Sequence, residues 1–221
     1  MRILAFDTTG PILTVGAVHD ARSIGRKDAR AERGRGNLLD QIIDDLLGEI
    51  GWTRSDVEGL GLLTGPGSLT ATRIGWATAA GWSQAADIPV TGWTVSGAHR
   101  RFLRDDALGA ICCIHYRGDT FLLYDLYEPG GNPKTVYLTG DAYAGSPPRF
   151  LTGPGVIGRR EPWLAYCGPQ TRIADESEAV IGGDVLALWA EEDLSRGVSL
   201  PLTSSPLEYG LPPDFKKLAS A

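Results

Sequence analysis

Between Gly59 and Trp82 the chain reads GLGLLTGPGSLTATRIGWATAAGW: a short apolar run, a glycine-proline turn, then a helix built largely of small residues. Few arrangements accommodate that order. Gly59 to Thr64 is too short for an ordinary helix and is ended by Gly65 and Pro66, which makes it a buried strand. The helix after the turn starts with unpaired amides, and Ser68 or Thr70 can accept a hydrogen bond from one of them. A strand, a glycine turn and a helix N-terminus form an anion site when free amides and the helix dipole converge. The plain alternative is a tight turn that binds nothing. Neither G-x-x-x-x-G-K-[ST] nor G-x-G-x-x-G is present, so both common nucleotide fingerprints are missing.

The flanking pattern is that of a mixed α/β protein. Arg2 to Phe6 and Ile12 to Val18 are strand-like on either side of the turn Asp7-Thr8-Thr9-Gly10-Pro11, a hairpin signal. A third strand is expected around Ser23 to Lys27. Gly36 to Ile50 is a helix with Leu38, Leu39, Ile42, Ile43, Leu46, Leu47 and Ile50 apolar, an arc wider than the roughly 100° stripe one core requires. In the helix Thr70 to Ala86, Gly75 and Gly81 are costly unless another backbone approaches closely, so close packing is expected at both. Val95 to Leu103 is a third helix. Strands follow at Ala110 to His115, Thr120 to Tyr127, Lys134 to Leu138 and Arg149 to Thr152, and a helix at Gly182 to Glu192. The expected division is an N-terminal lobe over 1–104, a smaller C-terminal lobe over 105–203 and a proline-containing tail over 204–221.

Two stretches carry a family resemblance: Met1-Arg-Ile-Leu-Ala-Phe-Asp7-Thr-Thr9, and Gly65-Pro-Gly-Ser-Leu-Thr-Ala-Thr-Arg-Ile-Gly75. Together they resemble the TsaB family of bacterial tRNA threonylcarbamoyladenosine biosynthesis proteins, which usually reads G-P-G-S-F-T-G-x-R-I-G in the second stretch. Leu69 and Ala71 depart from that pattern, as do Arg35 and His115 in two other family positions. The resemblance implies two ribonuclease-H-like (actin-like, ASKHA) lobes, the second reduced. It implies an accessory subunit without catalysis of its own, which binds TsaD and a TsaE-like ATPase and supports threonylcarbamoyl transfer to adenosine beside the tRNA anticodon. No cofactor is then expected on this subunit alone, and ATP and a metal ion belong to the partner or the complex. Phosphate or nucleotide contacts map onto Asp7, Thr8, Thr9, Gly65, Gly67, Ser68 and Thr70. The partner interface maps onto Leu38, Leu39, Ile42, Leu46, Ala71, Ile74, Gly75, Thr78 and Trp82. Two alternatives stay open: an actin-like small-molecule kinase or ATPase, and a homodimeric protein unrelated to tRNA.

Charge and composition narrow the classes. A net charge of -6 opposes unaided grip on nucleic acid, so tRNA is expected only through the complex. The basic stretch Arg22 to Arg35 is the exception, and a solvated strand edge is the preferred reading of it. Cys112, Cys113 and Cys167 suggest buried thiols rather than a disulfide framework. His19, His99 and His115 are too scattered for a histidine metal motif. No apolar run of about 18 residues exists to span a bilayer, and a cytoplasmic location is expected.

Overall fold

The computed structural model describes residues 1–30, 37–104, 109–117, 120–126, 134–138 and 147–208. The first sheet contains β1 (Arg2–Asp7), β2 (Ile12–His19), β3 (Arg22–Arg30), β4 (Gly59–Leu63) and β5 (Val90–Trp93) in the order β3-β2-β1-β4-β5. The strands β1, β2 and β3 run antiparallel, and β1, β4 and β5 run parallel. Its helices are α1 (Leu38–Ile50), α2 (Leu69–Ala86) and α3 (Val95–Leu103). The second sheet contains β6 (Ala110–Arg117), β7 (Thr120–Asp125), β8 (Lys134–Tyr137), β9 (Phe150–Thr152) and β10 (Arg172–Ile173) in the order β10-β9-β6-β7-β8. Read from the other edge, that is the topology of the first sheet repeated: three antiparallel strands, then two parallel ones. The chain is thus two related α/β lobes with an actin-like arrangement.

The second lobe is the poorer in helix. Its described helices are α4 (Arg160–Cys167), α5 (Glu176–Ala179) and α6 (Gly183–Ser195). Helix α4 is absent from the sequence expectations; its Pro162 stands in the first turn, where proline is tolerated because its missing N–H has no intrahelical acceptor. The buried pair Trp163 and Cys167, four residues apart, was the available signal. Trp163 fills this lobe's centre, edge-on to Phe121 at 5.0 Å and donating from Nε1 to the Gly155 carbonyl at 3.1 Å.

Helix α6, which falls in the expected C-terminal lobe over 105–203, packs on β1, β2, β3 and β4 of the first sheet. One face of that sheet is therefore covered by α1 and α2. The other shares a continuous core with the second lobe, in which Ile3, Ala5 and Leu63 join Leu186, Ala187 and Ala190 of α6 and Cys112, Phe121 and Leu151. The approach is closest at Gly16 on β2, where an added Cβ would overlap the backbone of Gly183 and Asp184, and a Cβ at Gly183 would overlap Val15 and Gly16. No side chain of α6 caps its own N-terminus. Instead the Gly183 amide donates to Thr14 Oγ1 on β2 at 2.8 Å in a buried setting.

This contact gives a stability test. Gly183→Val should cost about 3 kcal/mol or more, since only backbone lies in the way, and lower the melting temperature by roughly 6 to 12 °C. Gly48→Ala in α1, where an added Cβ meets nothing within 4 Å, should instead stabilise by about 0.5 to 1 kcal/mol. Differential scanning calorimetry of the two variants checks the contrast.

Candidate functional site

In open α/β sheets ligands sit beyond the carboxyl ends of the parallel strands. Here those ends bring together Asp7 on β1, Thr64 to Ser68 after β4 and Thr94 after β5. The candidate contacts Asp7, Thr8, Thr9, Gly65, Gly67 and Ser68 do converge, but largely upon one another. The Ser68 amide donates to the Thr9 carbonyl at 3.0 Å. The Thr8 hydroxyl donates to the Ala71 carbonyl at 2.8 Å, and the Thr9 amide donates to Asp7 Oδ1 at 2.7 Å. A Cβ at Gly67 would lie 2.7 Å from the Cβ of Thr9. The place an oxyanion would take in front of the Ser68 amide thus holds the Thr9 carbonyl, itself an acceptor. Ser68 stands at the N-cap of α2 without a side-chain cap bond; its carbonyl receives the Thr72 amide and hydroxyl, at 2.8 and 2.7 Å. The capping bond from Ser68 expected from the sequence is not made, and the Ser68 amide is held by the hairpin turn. Thr70 is exposed on the first turn of α2.

Gly65 has φ of 103°, a conformation that suits glycine alone, and the Gly65-Pro66 bond is cis. Its carbonyl accepts from the Val95 amide at 2.8 Å, tying the turn to α3. The hairpin turn also meets the second lobe, for a Cβ at Gly10 would lie 2.7 Å from the Cβ of Pro154.

Asp7 is buried, and burial pushes its carboxyl up to about 6, against the opposing pull of the Thr9 amide. The Thr9 hydroxyl beside it is buried and, like the Thr9 amide, pulls against that shift. Burial drives His99 on α3 the other way, down to about 4. Among the described residues, no three His, Cys, Asp or Glu side chains gather as a metal-binding group.

The second set of candidate residues divides. Leu39, Ile42 and Leu46 on α1 lie in the monomer's own core, so the wide apolar arc is used up by packing under the sheet. Gly75 is likewise internal, a Cβ there lying 2.7 Å from the Thr8 hydroxyl oxygen. These four are corrected from partner contacts to core. Leu38, Ala71, Ile74, Thr78 and Trp82 are half-buried along the margins of the helices. Close packing was expected at Gly81 too, but that residue is exposed and a Cβ there would meet nothing within 4 Å. The outward stripe of α2 is Ala77, Gly81 and Ala85, preceded by Leu69 and Arg73 at the same spacing. Beside it Arg54 stacks over Trp82 at 5.2 Å and pairs with Asp44 and Asp40 of α1.

Three of the described basic residues of the stretch are paired with acids. Arg26 pairs with Asp28 at 2.7 Å, Lys27 with Glu49 at 2.7 Å and Arg30 with Glu176 at 2.7 Å. Arg33 and Arg35 lie outside the described residues, as do Tyr127 and the tail from 209 onward. Cys112, Cys113 and Cys167 are buried and unpaired by disulfide.

The class of protein follows from the doubled lobe topology: an actin-like ATPase fold. The model of the TsaD family, tRNA N6-adenosine threonylcarbamoyltransferase, matches residues 29–100, the span holding α1, the Gly65 turn and α2. A search of curated proteins finds no significant match. Among solved structures, YeaZ from Pseudomonas aeruginosa superposes with a TM-score of 0.68 at 22% identity, over 94% of this chain and 99% of that one. A second Pseudomonas aeruginosa structure, described as an uncharacterised protein similar to peptidase YeaZ, gives 0.68 at 24% identity over 95% and 99%. The 2-hydroxyisocaproyl-CoA dehydratase activator from Clostridium difficile, with bound ADPNP, gives 0.50 at 9% identity over 89% and 97%. The fold is thus that of YeaZ, in agreement with the resemblance to TsaB carried by the two N-terminal motifs. Among the described residues no helix is long and apolar enough to cross a membrane.

The opposite shifts of Asp7 and His99 give a pH test. Between its usual value of 3.8 and about 6, Asp7 holds a proton in the folded chain that the unfolded chain releases. Stability from this residue is therefore present at low pH and lost as pH rises through 6, on the order of 3 kcal/mol by neutral pH. His99 has the reverse sign, its contribution present above 6.5 and lost as pH falls toward 4. Asp7→Asn, whose side-chain oxygen can still accept from the Thr9 amide, should match the parent near pH 4 and melt higher than it at pH 7. Thermal melts across that range check the divergence.

Proposed function

We propose that this chain is a non-catalytic docking subunit of a tRNA threonylcarbamoyl transferase assembly, bound to a TsaD-type partner. The observation that carries the reading is that the Thr9 carbonyl takes the Ser68 amide, so this amide at the Gly65 turn is engaged in packing on the hairpin turn rather than open to an anion. The fold is then free to act as a shaped surface. ATP and its metal belong to the partner, a TsaE-type ATPase joins the assembly in the cytoplasm, and tRNA reaches this acidic chain only through the complex. The docking face is the outward side of α2, where Ala77, Gly81 and Ala85 let a second helix approach closely, with the margins Leu38, Ala71, Ile74, Thr78 and Trp82 beside it. With no partner present, two copies would pair on the same face.

One observation favours a second reading, an actin-like kinase or ATPase: the Asp7 carboxyl, with its raised pKa, is buried beside the Thr9 hydroxyl at the carboxyl end of β1, and such groups gather at functional sites.

Gly81→Leu and Ala77→Leu test the docking face. Both should leave the melting temperature near or above that of the parent, since leucine suits an exposed helix better than glycine. Each should weaken binding to the TsaD-type protein of the same organism by about tenfold to a hundredfold, read by isothermal titration calorimetry. Unchanged affinity in both variants places the interface elsewhere.

A further inference from the structure

The pentapeptide Leu-Thr-Gly-Pro-Gly occurs twice, at 63–67 and at 151–155. So short a repeat says little until the topology places it. The first copy follows from the end of β4, the parallel neighbour of β1, and the second from the end of β9, the parallel neighbour of β6. They are the equivalent turns of the two lobes, and the first glycine of each has a positive φ, 103° at Gly65 and 94° at Gly153. Each is anchored in its own lobe. The Gly65 carbonyl accepts from the Val95 amide at 2.8 Å. A Cβ at Gly153 would overlap the Cys113 carbonyl oxygen of β6, and the Gly155 carbonyl accepts from Trp163 Nε1 at 3.1 Å. Both turns then meet one hairpin. Gly67 lies so close to Thr9 that a Cβ would overlap it, and a Cβ at Gly10 would lie 2.7 Å from the Cβ of the buried Pro154.

We propose that these two turns form a clasp on the first hairpin, a conformational device that fixes the angle between the lobes so that the chain acts as one rigid body. The lobes are already tied where Gly16 of β2 meets Gly183 of α6. A tie at one place leaves two bodies able to rock about it. Gly10 stands six residues before Gly16, so the clasp is a second tie up to about 20 Å away along the chain. Two separated ties remove that freedom. Nothing soft intervenes at the second one, because the facing groups are a glycine backbone and a proline ring, and neither has a rotamer to change. The consequence for function is geometric: whatever binds on α2 meets the second lobe at a set distance and orientation. This holds whether or not α2 is the docking face.

The test uses the full chain with spin labels on cysteines introduced at Gly81 of α2 and Tyr137 of β8, both exposed. Cys112, Cys113 and Cys167 are buried and leave the labelling to the new pair. Double electron–electron resonance should give one narrow distance peak, and Pro154→Gly, which removes the ring that meets Gly10, should broaden it. Gly10→Ala wedges the clasp from the other side and should displace the peak, which keeps the measurement decisive if Pro154→Gly folds poorly. Gly10→Ala should also lower the melting temperature by about 3 °C or more. In the Pro154→Gly background that penalty should shrink to under about 1 °C, whereas Pro154→Ala, which keeps the Cβ, should retain it. A broad or two-peaked distribution in the labelled parent overturns the proposal, as do distributions in both variants that match a narrow parental one. A Gly10→Ala penalty of equal size in all three backgrounds overturns it as well.

Discussion

The meeting of Gly16 on β2 with Gly183 at the start of α6 is the contact on which the architecture depends. Backbone rests on backbone there, and the buried Thr14 hydroxyl receives the amide that a helix N-terminus would otherwise leave unpaired. Through this contact a helix from the end of the chain covers a sheet made by its beginning, and Leu186, Ala187 and Ala190 complete a core common to both lobes. Neither lobe is finished without the other. The arrangement also explains the pair Gly182-Gly183. A Cβ at Gly182 would overlap the Arg26 guanidinium and one at Gly183 the strand backbone, so the space beside both glycines is already filled by protein.

The same economy of space governs the functional reading. At the carboxyl ends of the parallel strands, the hairpin turn packs on the Gly65 turn, the second lobe reaches Gly10 through Pro154, and the chain's own later segment lies over Gly65. The Ser68 amide, the Thr8 hydroxyl and Asp7 are thus engaged with protein groups. What the fold leaves outward is the small-residue side of α2, bordered by the Arg54 and Trp82 stack and the acids of α1. Asp7 is the residue that fits this picture least comfortably. A buried carboxyl with a raised pKa loses stability at neutral pH, and its persistence beside the buried Thr9 hydroxyl is the strongest argument for the rival ATPase reading.

Much of this was legible in the residues. The hairpin, the strand ended by Gly65 and Pro66, and all three helices of the first lobe follow from local periodicity and turn chemistry, because each buries a face against its sequence neighbours. The repeat of that topology in the second sheet was legible only as order, since its strands are short and its α4 begins through a proline. Which side of α2 faces outward was not legible. Gly75 and Gly81 look alike in sequence, yet one meets Thr8 on the hairpin turn and the other meets nothing, and a side-chain period cannot tell close approach within the chain from close approach by another. For the same reason the wide apolar arc of α1 left partner and core equally open, and its buried residues pack in the core. The destination of α6 was hidden too, because it depends on a contact between residues far apart in sequence, Gly16 and Gly183.

The central claim is that the ligand position of this actin-like fold is satisfied from within and that the chain acts as a surface. Titration of the purified chain with Mg-ATP, followed by calorimetry and by phosphate release, tests it most directly. The account predicts no saturable heat and no release above buffer. Saturable binding with turnover that disappears in Asp7→Ala would contradict it and make the chain an ATPase in its own right.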